Sequence, residues 1–297
     1  MHVKDLKTER RNRATENFDS MTSLEMVQVM NREDSAVPRA IKRVLPEIAR
    51  AVDVICNCFM KGGRLIYVGT GTSGRIGALD ASECPPTFGI DVGMVQFVIA
   101  GGENAVVHAA EASEDSAELG KSDMAARKPG KRDVVVGLAA SGITPYTVSA
   151  LEHARKRGAA TIAITSNRGS TLGETADIRI EVEVGPEVLA GSSRLKAGTA
   201  QKLICNMLTT SAMARMGYVY SNLMVNMHVK NKKLLERGIA ILELLAEVDR
   251  TVAVEALETA EMSVPLALVM LKAHVGKTDA ARRLRKSKGN VRKAIEG

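Results

Sequence analysis

From residue 64 onwards, short apolar runs alternate with segments of helical periodicity. Four of the runs are apolar nearly throughout, as strands covered on both faces are. A fifth run, residues 178–184, alternates polar and apolar positions, which is typical of an edge strand. The predicted strands cover residues 64–70, 95–101, 133–140, 160–166 and 178–184, and the helical patterns between them cover 74–84, 105–119 and 145–157. This alternation predicts an α/β fold with a five-stranded, parallel, doubly wound sheet.

Helical periodicity also precedes and follows the predicted sheet. It covers roughly residues 20–61 before the sheet and residues 194–216 and 222–245 after it. The last 50 residues indicate three short helices, with breaks near 263–265, 276–278 and 288–290. We therefore expect four segments: N-terminal helices (1–52), a sheet domain (53–217), a connecting helix (218–249) and a small three-helix unit (250–297).

Composition excludes several classes of protein. Hydrophobic residues make up 45% of the 297 positions, an ordinary value for a globular chain. The first 18 residues are densely charged, and no run approaches the roughly 18 apolar residues that a membrane span needs. We expect no signal peptide, no membrane partner and a cytoplasmic protein whose four cysteines are reduced thiols.

The net charge of +7 is concentrated near the C-terminus. Residues 272–293 hold nine of the 41 Lys and Arg residues against one acid, Asp279, so the rest of the chain is nearly neutral. This stretch contains no Phe, Tyr or Trp that could stack on nucleic-acid bases. We therefore expect a solvated helical face and no nucleic-acid partner.

A glycine-rich loop follows the first predicted strand. Gly69, Gly71 and Gly74 have the G-x-G-x-x-G spacing of dinucleotide-binding loops, but no acidic residue ends the second strand to bind a ribose. In the alternative triphosphate loop, Arg75 would replace the required lysine and Ile76 the metal-binding hydroxyl. What remains is a loop whose glycines, hydroxyls and helix N-terminus suit a single phosphomonoester.

Two further loops repeat this chemistry. One follows the third predicted strand, and the other precedes the helical pattern at 194–216. Because the carboxyl ends of parallel strands share one edge of a sheet, we expect these loops to converge on one phosphate pocket. The residues predicted to bind the substrate are Gly71, Thr72, Ser73, Gly74, Ser141, Gly142, Thr144 and Ser193.

Serine- and threonine-rich loops on a five-stranded parallel sheet resemble the SIS fold of phosphosugar enzymes. Longer motifs are similar to those of the N-acetylmuramic acid 6-phosphate etherase family, which is related to the glucokinase regulatory protein: GTGTSGRIGALDASECPPTFG, IAGGENAVVHAAEASEDS, VVVGLAASGITPY and GPEVLAGSSRLKAGTAQKL. The stretch TSLEMVQVMNREDSAVPRAI and the C-terminal helical unit, of the UBA/CUE type, match as well, so the resemblance spans nearly the whole chain. The family commonly has arginine at the position of Ile143. The isoleucine of this chain therefore lacks one polar contact near the predicted pocket.

The resemblance implies an enzyme that removes the D-lactyl ether from C3 of N-acetylmuramic acid 6-phosphate. The products would be N-acetylglucosamine 6-phosphate and D-lactate, in amino-sugar catabolism and cell-wall recycling. The family uses no metal and no organic cofactor, and it closes the pocket across a homodimer interface. The resemblance also implies two catalytic carboxyl groups, those of Glu83 and Glu114.

Two other functions fit the same loops. One is an aldose–ketose isomerase of hexosamine phosphates, which also needs a base at C2. The other is a non-catalytic sugar-phosphate sensor similar to the glucokinase regulatory protein. That regulator has two sheet domains in one chain, so the single predicted sheet, together with Glu83, favours the enzyme.

The sequence suggests different environments for the two carboxyl groups. Glu83 ends a predicted helix beside two prolines, and a rigid, partly desolvated site would favour its protonated form, which can donate to the departing oxygen. Glu114 lies in the helical pattern at 105–119, where it would share a face with Glu111 and Glu118 and remain ionised. We expect Glu114 to take the C2 proton, with Asp115 as the alternative base.

Overall fold

Five parallel strands form the sheet, as the sequence predicts. The structure, a computed structural model, describes residues 6–108, 113–227, 229 and 231–297. The strands are β1 (Leu65–Gly69), β2 (Val95–Ile99), β3 (Val134–Leu138), β4 (Ala160–Thr165) and β5 (Ile178–Glu181), in the spatial order β2-β1-β3-β4-β5. The register pairs Gly69 with both Ile99 and Leu138, and Leu138 with Ile164, so the carboxyl ends lie level with one another. The alternating fifth strand is indeed an edge strand.

The helices before the sheet are α1 (Ser23–Asp34), α2 (Ala36–Lys42) and α3 (Leu45–Met60). Those between and after the strands are α4 (Gly71–Phe88), α5 (Ala117–Ala126), α6 (Pro145–Lys156), α7 (Thr171–Thr175) and α8 (Lys196–Met216). The C-terminal part of the chain forms α9 (Lys232–Ala246), α10 (Arg250–Thr259), α11 (Val264–Ala273), α12 (Lys277–Lys286) and α13 (Val291–Glu296). Within the residues that the structure describes, every helix is too short or too polar to cross a bilayer.

Side chains alternate along each strand, so these apolar strands present apolar side chains on both faces of the sheet. Helices cover both faces. Ile66 and Val68 point towards α5 and α6 and share one apolar core with Tyr146 and Leu151. Tyr67 points to the opposite face, where its hydroxyl donates to Asp80 of α4 at 2.8 Å. Asp80 also accepts hydrogen bonds from two side chains of α8, Asn206 and Thr209. The sheet is therefore doubly wound.

Three helical boundaries differ from the sequence prediction. Two consecutive prolines, Pro85 and Pro86, do not end α4 but lie in its last turn, and the helix ends two residues later at Phe88. The helix expected at 105–119 is present only from residue 117, where α5 begins, and the described residues before it have a 3-10 turn (Glu103–Val106). A serine side chain at residue 116 accepts from the backbone N–H of Leu119 and starts α5 there. The long helix expected from 222 begins only at Lys232, where Asn231 caps it.

The chain packs as two compact units. The first contains residues 1–82 and 93–209, which include the sheet and the N-terminal helices. The second contains residues 83–92 and 210–297, and its core is formed by apolar side chains such as Leu242, Leu257 and Leu268. The three expected breaks after residue 250 are present, but they separate four helices instead of three.

Candidate active site

A cavity of about 300 Å³ opens in the first unit where β1 and β3 end. Its lining is dominated by hydroxyl-bearing side chains from the three predicted loops, joined by residues that the sequence did not indicate. The lining residues are Thr8, Glu9, Thr70, Gly71, Thr72, Ser73, Arg75, Glu114, Ala139, Ala140, Ser141, Thr144 and Ser193. A larger cavity of about 450 Å³ lies between β2 and α5 but lacks this cluster of hydroxyls. Chemistry, and not size, therefore selects the candidate site.

The first loop joins β1 to the N-terminus of α4. Gly71 has a φ of +47° and lines the cavity. Gly74 lies behind the lining, where a Cβ atom would be 2.6 Å from Ile99 Cγ1 and 2.8 Å from the Gly69 carbonyl oxygen. Only glycine allows the helix to approach the sheet this closely. Ser73 donates a hydrogen bond to Gln201 Oε1 of α8 at 3.0 Å, which fixes its hydroxyl at the cavity wall.

The second loop, residues 139–144, follows β3. Gly142 has a φ of +74°, and a Cβ atom there would be 2.4 Å from Ser170 Cβ, so the turn requires glycine. Gly142 itself does not line the cavity, whereas Ser141 and Thr144 do, with their hydroxyl oxygens 3.4 Å apart. Ile143 is half-buried and lies outside the lining.

Asn167, which the sequence analysis does not identify, anchors the second loop by a buried hydrogen bond. Its side chain is 1% exposed, and its Nδ2 donates to the carbonyl oxygen of Ala140 at 3.1 Å. Its Oδ1 accepts from the backbone N–H of Lys7 at 2.7 Å. One buried amide therefore ties the second loop to the N-terminal segment. A buried asparagine between two loops has no signal in the sequence pattern.

The third loop carries Ser193 to the cavity and leads into α8. A fully buried carboxylate, that of Glu187, accepts from the backbone N–H groups of Lys196 and Ala197, both at 2.9 Å, and so caps α8. Burial raises the pKa of Glu187 above its ordinary value, against the effect of these hydrogen bonds. Lys196, which is 1% exposed, pairs through its ammonium with Glu33 of α1 at 2.7 Å.

Glu114 brings a carboxylate to the cavity beside the first loop. Its Oε1 lies 3.0 Å from the point where a side chain at Gly71 would begin, so the glycine leaves room for the carboxylate at the N-terminus of α4. Its carbonyl oxygen accepts from the backbone N–H of Tyr146 at 3.2 Å, which anchors the segment to α6. The shared helical face expected for Glu114 and Glu118 is wrong, because Glu114 precedes α5. Glu111 lies outside the described residues, and Asp115 is exposed and does not line the cavity.

Glu83 does not line this cavity. It lies in the part of α4 that belongs to the second unit, and its side chain is exposed. The partial desolvation expected for this carboxyl is therefore not found within one chain.

Arg75 contributes the positive charge of the cavity. Its Nε donates to the carbonyl oxygen of Val106 at 3.0 Å, and its Nη2 donates to that of His108 at 3.1 Å. These two bonds orient the guanidinium from the first turns of α4. The described residues contain no group of three His, Cys, Asp or Glu side chains arranged to hold a metal ion.

Comparison with known proteins agrees with this fold. Residues 47–155 match the glucokinase regulatory protein N-terminal SIS domain, and residues 109–211 match the SIS domain. The chain is 49% identical to the N-acetylmuramic acid 6-phosphate etherase of Actinobacillus pleuropneumoniae serotype 5b, with 97% of this chain and 95% of that protein covered. It is 45% identical to the protein of the same name from Clostridium beijerinckii, with 100% and 97% covered.

Among solved structures, a phosphoheptose isomerase from Francisella tularensis matches with a TM-score of 0.52 and 22% identity. The match covers 65% of this chain and 100% of the isomerase. It supports the SIS fold of the sheet.

Proposed function

This chain belongs to the N-acetylmuramic acid 6-phosphate etherase family, and we propose that the cavity where β1 and β3 end is its active site. The enzyme is a carbon–oxygen lyase that cleaves the D-lactyl ether of N-acetylmuramic acid 6-phosphate, giving N-acetylglucosamine 6-phosphate and D-lactate. The observation that carries the assignment of the site is the convergence of hydroxyls from three loops beside one carboxylate, that of Glu114.

In this proposal the loops bind the 6-phosphate. Hydroxyl groups of Thr72, Ser141, Thr144 and Ser193 donate to its oxygens, and the N-terminus of α4 adds backbone N–H groups. Ser73, whose one hydroxyl proton is used in the bond to Gln201, contributes to the wall beside the phosphate. Arg75 supplies a guanidinium that can pair with the phosphate or with the lactyl carboxylate. The hydroxyl-rich lining supports this assignment.

The reaction then requires one base and one acid. In the open-chain sugar, the C1 aldehyde acidifies the proton on C2, and the base removes that proton. The electrons of the C2–H bond first delocalise onto the C1 carbonyl oxygen as an enolate. They then form the C2=C3 double bond as the C3–O bond breaks, and the acid protonates the departing lactate oxygen. Water then adds its hydroxyl to C3 and a proton to C2. Two carboxyl groups with different protonation states suffice for these steps.

We assign the base to Glu114 and the acid to Glu83. The position of the Glu114 carboxylate in the cavity supports its role, and the exposure of Asp115 outside the lining favours Glu114 over its neighbour. The role of Glu83 rests on the family resemblance alone, because Glu83 does not line the cavity.

We also propose that the active enzyme is a cytoplasmic homodimer. The side chains of Leu24 and Val27 on α1 are 65% and 58% exposed, and apolar exposure of this kind is typical of a surface that another chain covers.

Substitution of the two carboxyl groups tests the mechanism. Glu83→Gln should nearly abolish D-lactate release, by about 10² to 10⁴-fold, yet still exchange the C2 proton with deuterated solvent, because proton removal precedes departure. Glu114→Gln should lose exchange and release together, and Asp115→Asn is the matched control that should keep both. Lactate is assayed enzymatically, and exchange is followed by NMR.

Two results would contradict the assignment. Loss of exchange in Glu83→Gln with exchange retained in Glu114→Gln would reverse the roles, and loss of exchange in Asp115→Asn alone would move the base to Asp115. Wild-type protein that releases no D-lactate would overturn the proposed function itself.

A further inference from the structure

Glu9 lies in the cavity although no sequence pattern connects it with the loops. We propose that the Glu9 carboxylate binds the sugar part of the substrate, by accepting a hydrogen bond from a hydroxyl or amide N–H, and so determines specificity. This inference rests on the proposed function, since it assumes a phosphosugar in the cavity.

The segment that carries Glu9 is firmly attached to the sheet unit. Leu6 is 1% exposed, and the backbone N–H of Lys7 donates to Asn167. Thr8 is 2% exposed, and its carbonyl oxygen accepts from the backbone N–H of Gly191 at 3.1 Å. These contacts hold the residues that immediately precede Glu9 against the loops that follow β4 and precede α8.

Two more contacts attach the following residues to α1 and to the third loop. Asn12 donates to Glu33 Oε2 at 2.8 Å, and Thr15 donates to the carbonyl oxygen of Val188 at 2.8 Å. The same Glu33 carboxylate pairs with Lys196 at the start of α8. The N-terminal segment is thus part of the structure that positions the third loop, and the place of Glu9 is determined by buried contacts on either side of it.

Glu9 is an exposed residue of the cavity wall, so its carboxylate is accessible to a ligand. It makes no hydrogen bond or ion pair with any residue that the structure describes, although it lines the cavity and reaches within 3.1 Å of the Cβ position of Gly191. A structural carboxylate would be expected to cap a helix or pair with a base, as Glu187 and Glu33 do. Its acceptor capacity is therefore left for a ligand.

The chemistry of a carboxylate selects the part of the ligand that it meets. An ionised carboxylate can only accept hydrogen bonds, and it repels a phosphate dianion. The hydroxyls, backbone N–H groups and guanidinium of the cavity suit the phosphate, whereas Glu9 suits a sugar hydroxyl or the acetamido N–H. A site that accepts such a bond rejects analogues that lack the donor.

The test separates sugar binding from phosphate binding. Glu9→Gln and Glu9→Ala are compared with Glu16→Gln, which removes the same charge from an exposed residue of the same segment that does not line the cavity. Calorimetry measures the affinity for N-acetylglucosamine 6-phosphate and for inorganic phosphate, and steady-state kinetics measure KM and kcat. Thermal unfolding checks that each variant is folded.

Both Glu9 variants should bind N-acetylglucosamine 6-phosphate about 10- to 100-fold more weakly, because a hydrogen bond to a charged group is lost. Their affinity for inorganic phosphate should equal or exceed that of wild type, because a charge that repels phosphate is removed, and Glu16→Gln should match wild type in both measurements. KM for the etherase substrate should rise more than kcat falls.

Equal weakening of phosphate and sugar phosphate would overturn the proposal, since it would mean that Glu9 only maintains the shape of the loops. Unchanged sugar-phosphate affinity would overturn it as well. The binding measurements do not depend on turnover. If wild-type protein released no D-lactate but showed the Glu9-dependent affinity, the proposed reaction would fail while the assignment of Glu9 would stand.

Discussion

Asp133 precedes β3 at the amino edge of the sheet, far from the carboxyl-edge loops. Its Oδ1 accepts from the backbone N–H of Arg64 at 2.9 Å, and its Oδ2 accepts from the Arg64 guanidinium at 2.8 Å and the Gly130 N–H at 3.0 Å. Burial raises the pKa of this carboxyl, but the hydrogen bonds from Arg64 and Gly130 outweigh burial and hold the pKa below its ordinary value. The group therefore stabilises the fold in its ionised form.

Asp133→Asn should lower the free energy of unfolding at pH 7 by about 1–3 kcal/mol, because Arg64 loses a charged partner that is only 9% exposed. A depressed folded-state pKa gives stability that is present above the unfolded value of about 4 and is lost as pH falls through the folded value. The difference in the free energy of unfolding between wild type and variant should thus become smaller below about pH 4. Urea unfolding at several pH values measures it.

The control for that series is Asp19→Asn, which changes an exposed carboxyl and should leave stability within about 0.5 kcal/mol of wild type. A difference between wild type and Asp133→Asn that stays constant from pH 7 to pH 3 would contradict the linkage.

Among the secondary-structure elements, α12 (Lys277–Lys286) carries five of the nine Lys and Arg residues between positions 272 and 293. Part of this charge is already neutralised: Asp279 pairs with both Arg282 and Arg283, and Lys277 pairs with Glu261 at 2.6 Å. Arg285 and Lys286 of α12 and Lys288 after it are exposed. Charge without aromatic stacking supports only weak, salt-sensitive association with nucleic acid.

We therefore predict no binding to a 20-nucleotide DNA or RNA tighter than about 10 μM at 0.15 M salt, as measured by fluorescence anisotropy. Binding in the micromolar range or tighter would contradict this prediction if it disappeared when Arg285, Lys286 and Lys288 were changed to glutamate.

At the scale of the whole molecule, the proposed homodimer is the first prediction. Val27→Lys should raise the dimer dissociation constant at least about tenfold, because it replaces an exposed apolar side chain on α1 with a charge. Gln28→Lys, at an exposed polar position of the same helix, is the matched control. Sedimentation velocity over a concentration series measures both. Full activity in a monomer at nanomolar concentration would refute the homodimer.

Independence from metal ions is the second prediction at this scale. The proposed elimination uses an open-chain aldehyde and two carboxyl groups, and the five histidines of the sequence, at positions 2, 108, 153, 228 and 274, are not paired at ligand spacing. D-lactate release should therefore keep its rate after exhaustive treatment with EDTA. Loss of turnover that a single added metal restores would overturn the mechanism.

The sheet and the loops at its carboxyl edge can be predicted from the amino-acid pattern alone. Apolar runs identify buried strands because a strand that is covered on both faces needs apolar side chains at successive positions. Parallel strands bring the loops that follow them to one edge of the sheet. The positions of Ser73, Ser141 and Ser193 in the chain are therefore enough to predict that they converge, and the three residues do line one cavity.

The other groups that line the cavity with these three serines follow from tertiary packing. Glu9 and Thr8 lie about 60 residues before the first loop, and Asn167 links their segment to the second loop through single buried hydrogen bonds. Such contacts leave no periodicity, because they depend on how distant segments pack. The same holds for α4, which continues through two prolines, and for Glu114, whose position follows from its backbone bond to Tyr146 and not from a helical face. Hydrophobic periodicity indicates which residues of an element are buried. Which residues from distant segments line the same cavity depends on how those segments pack.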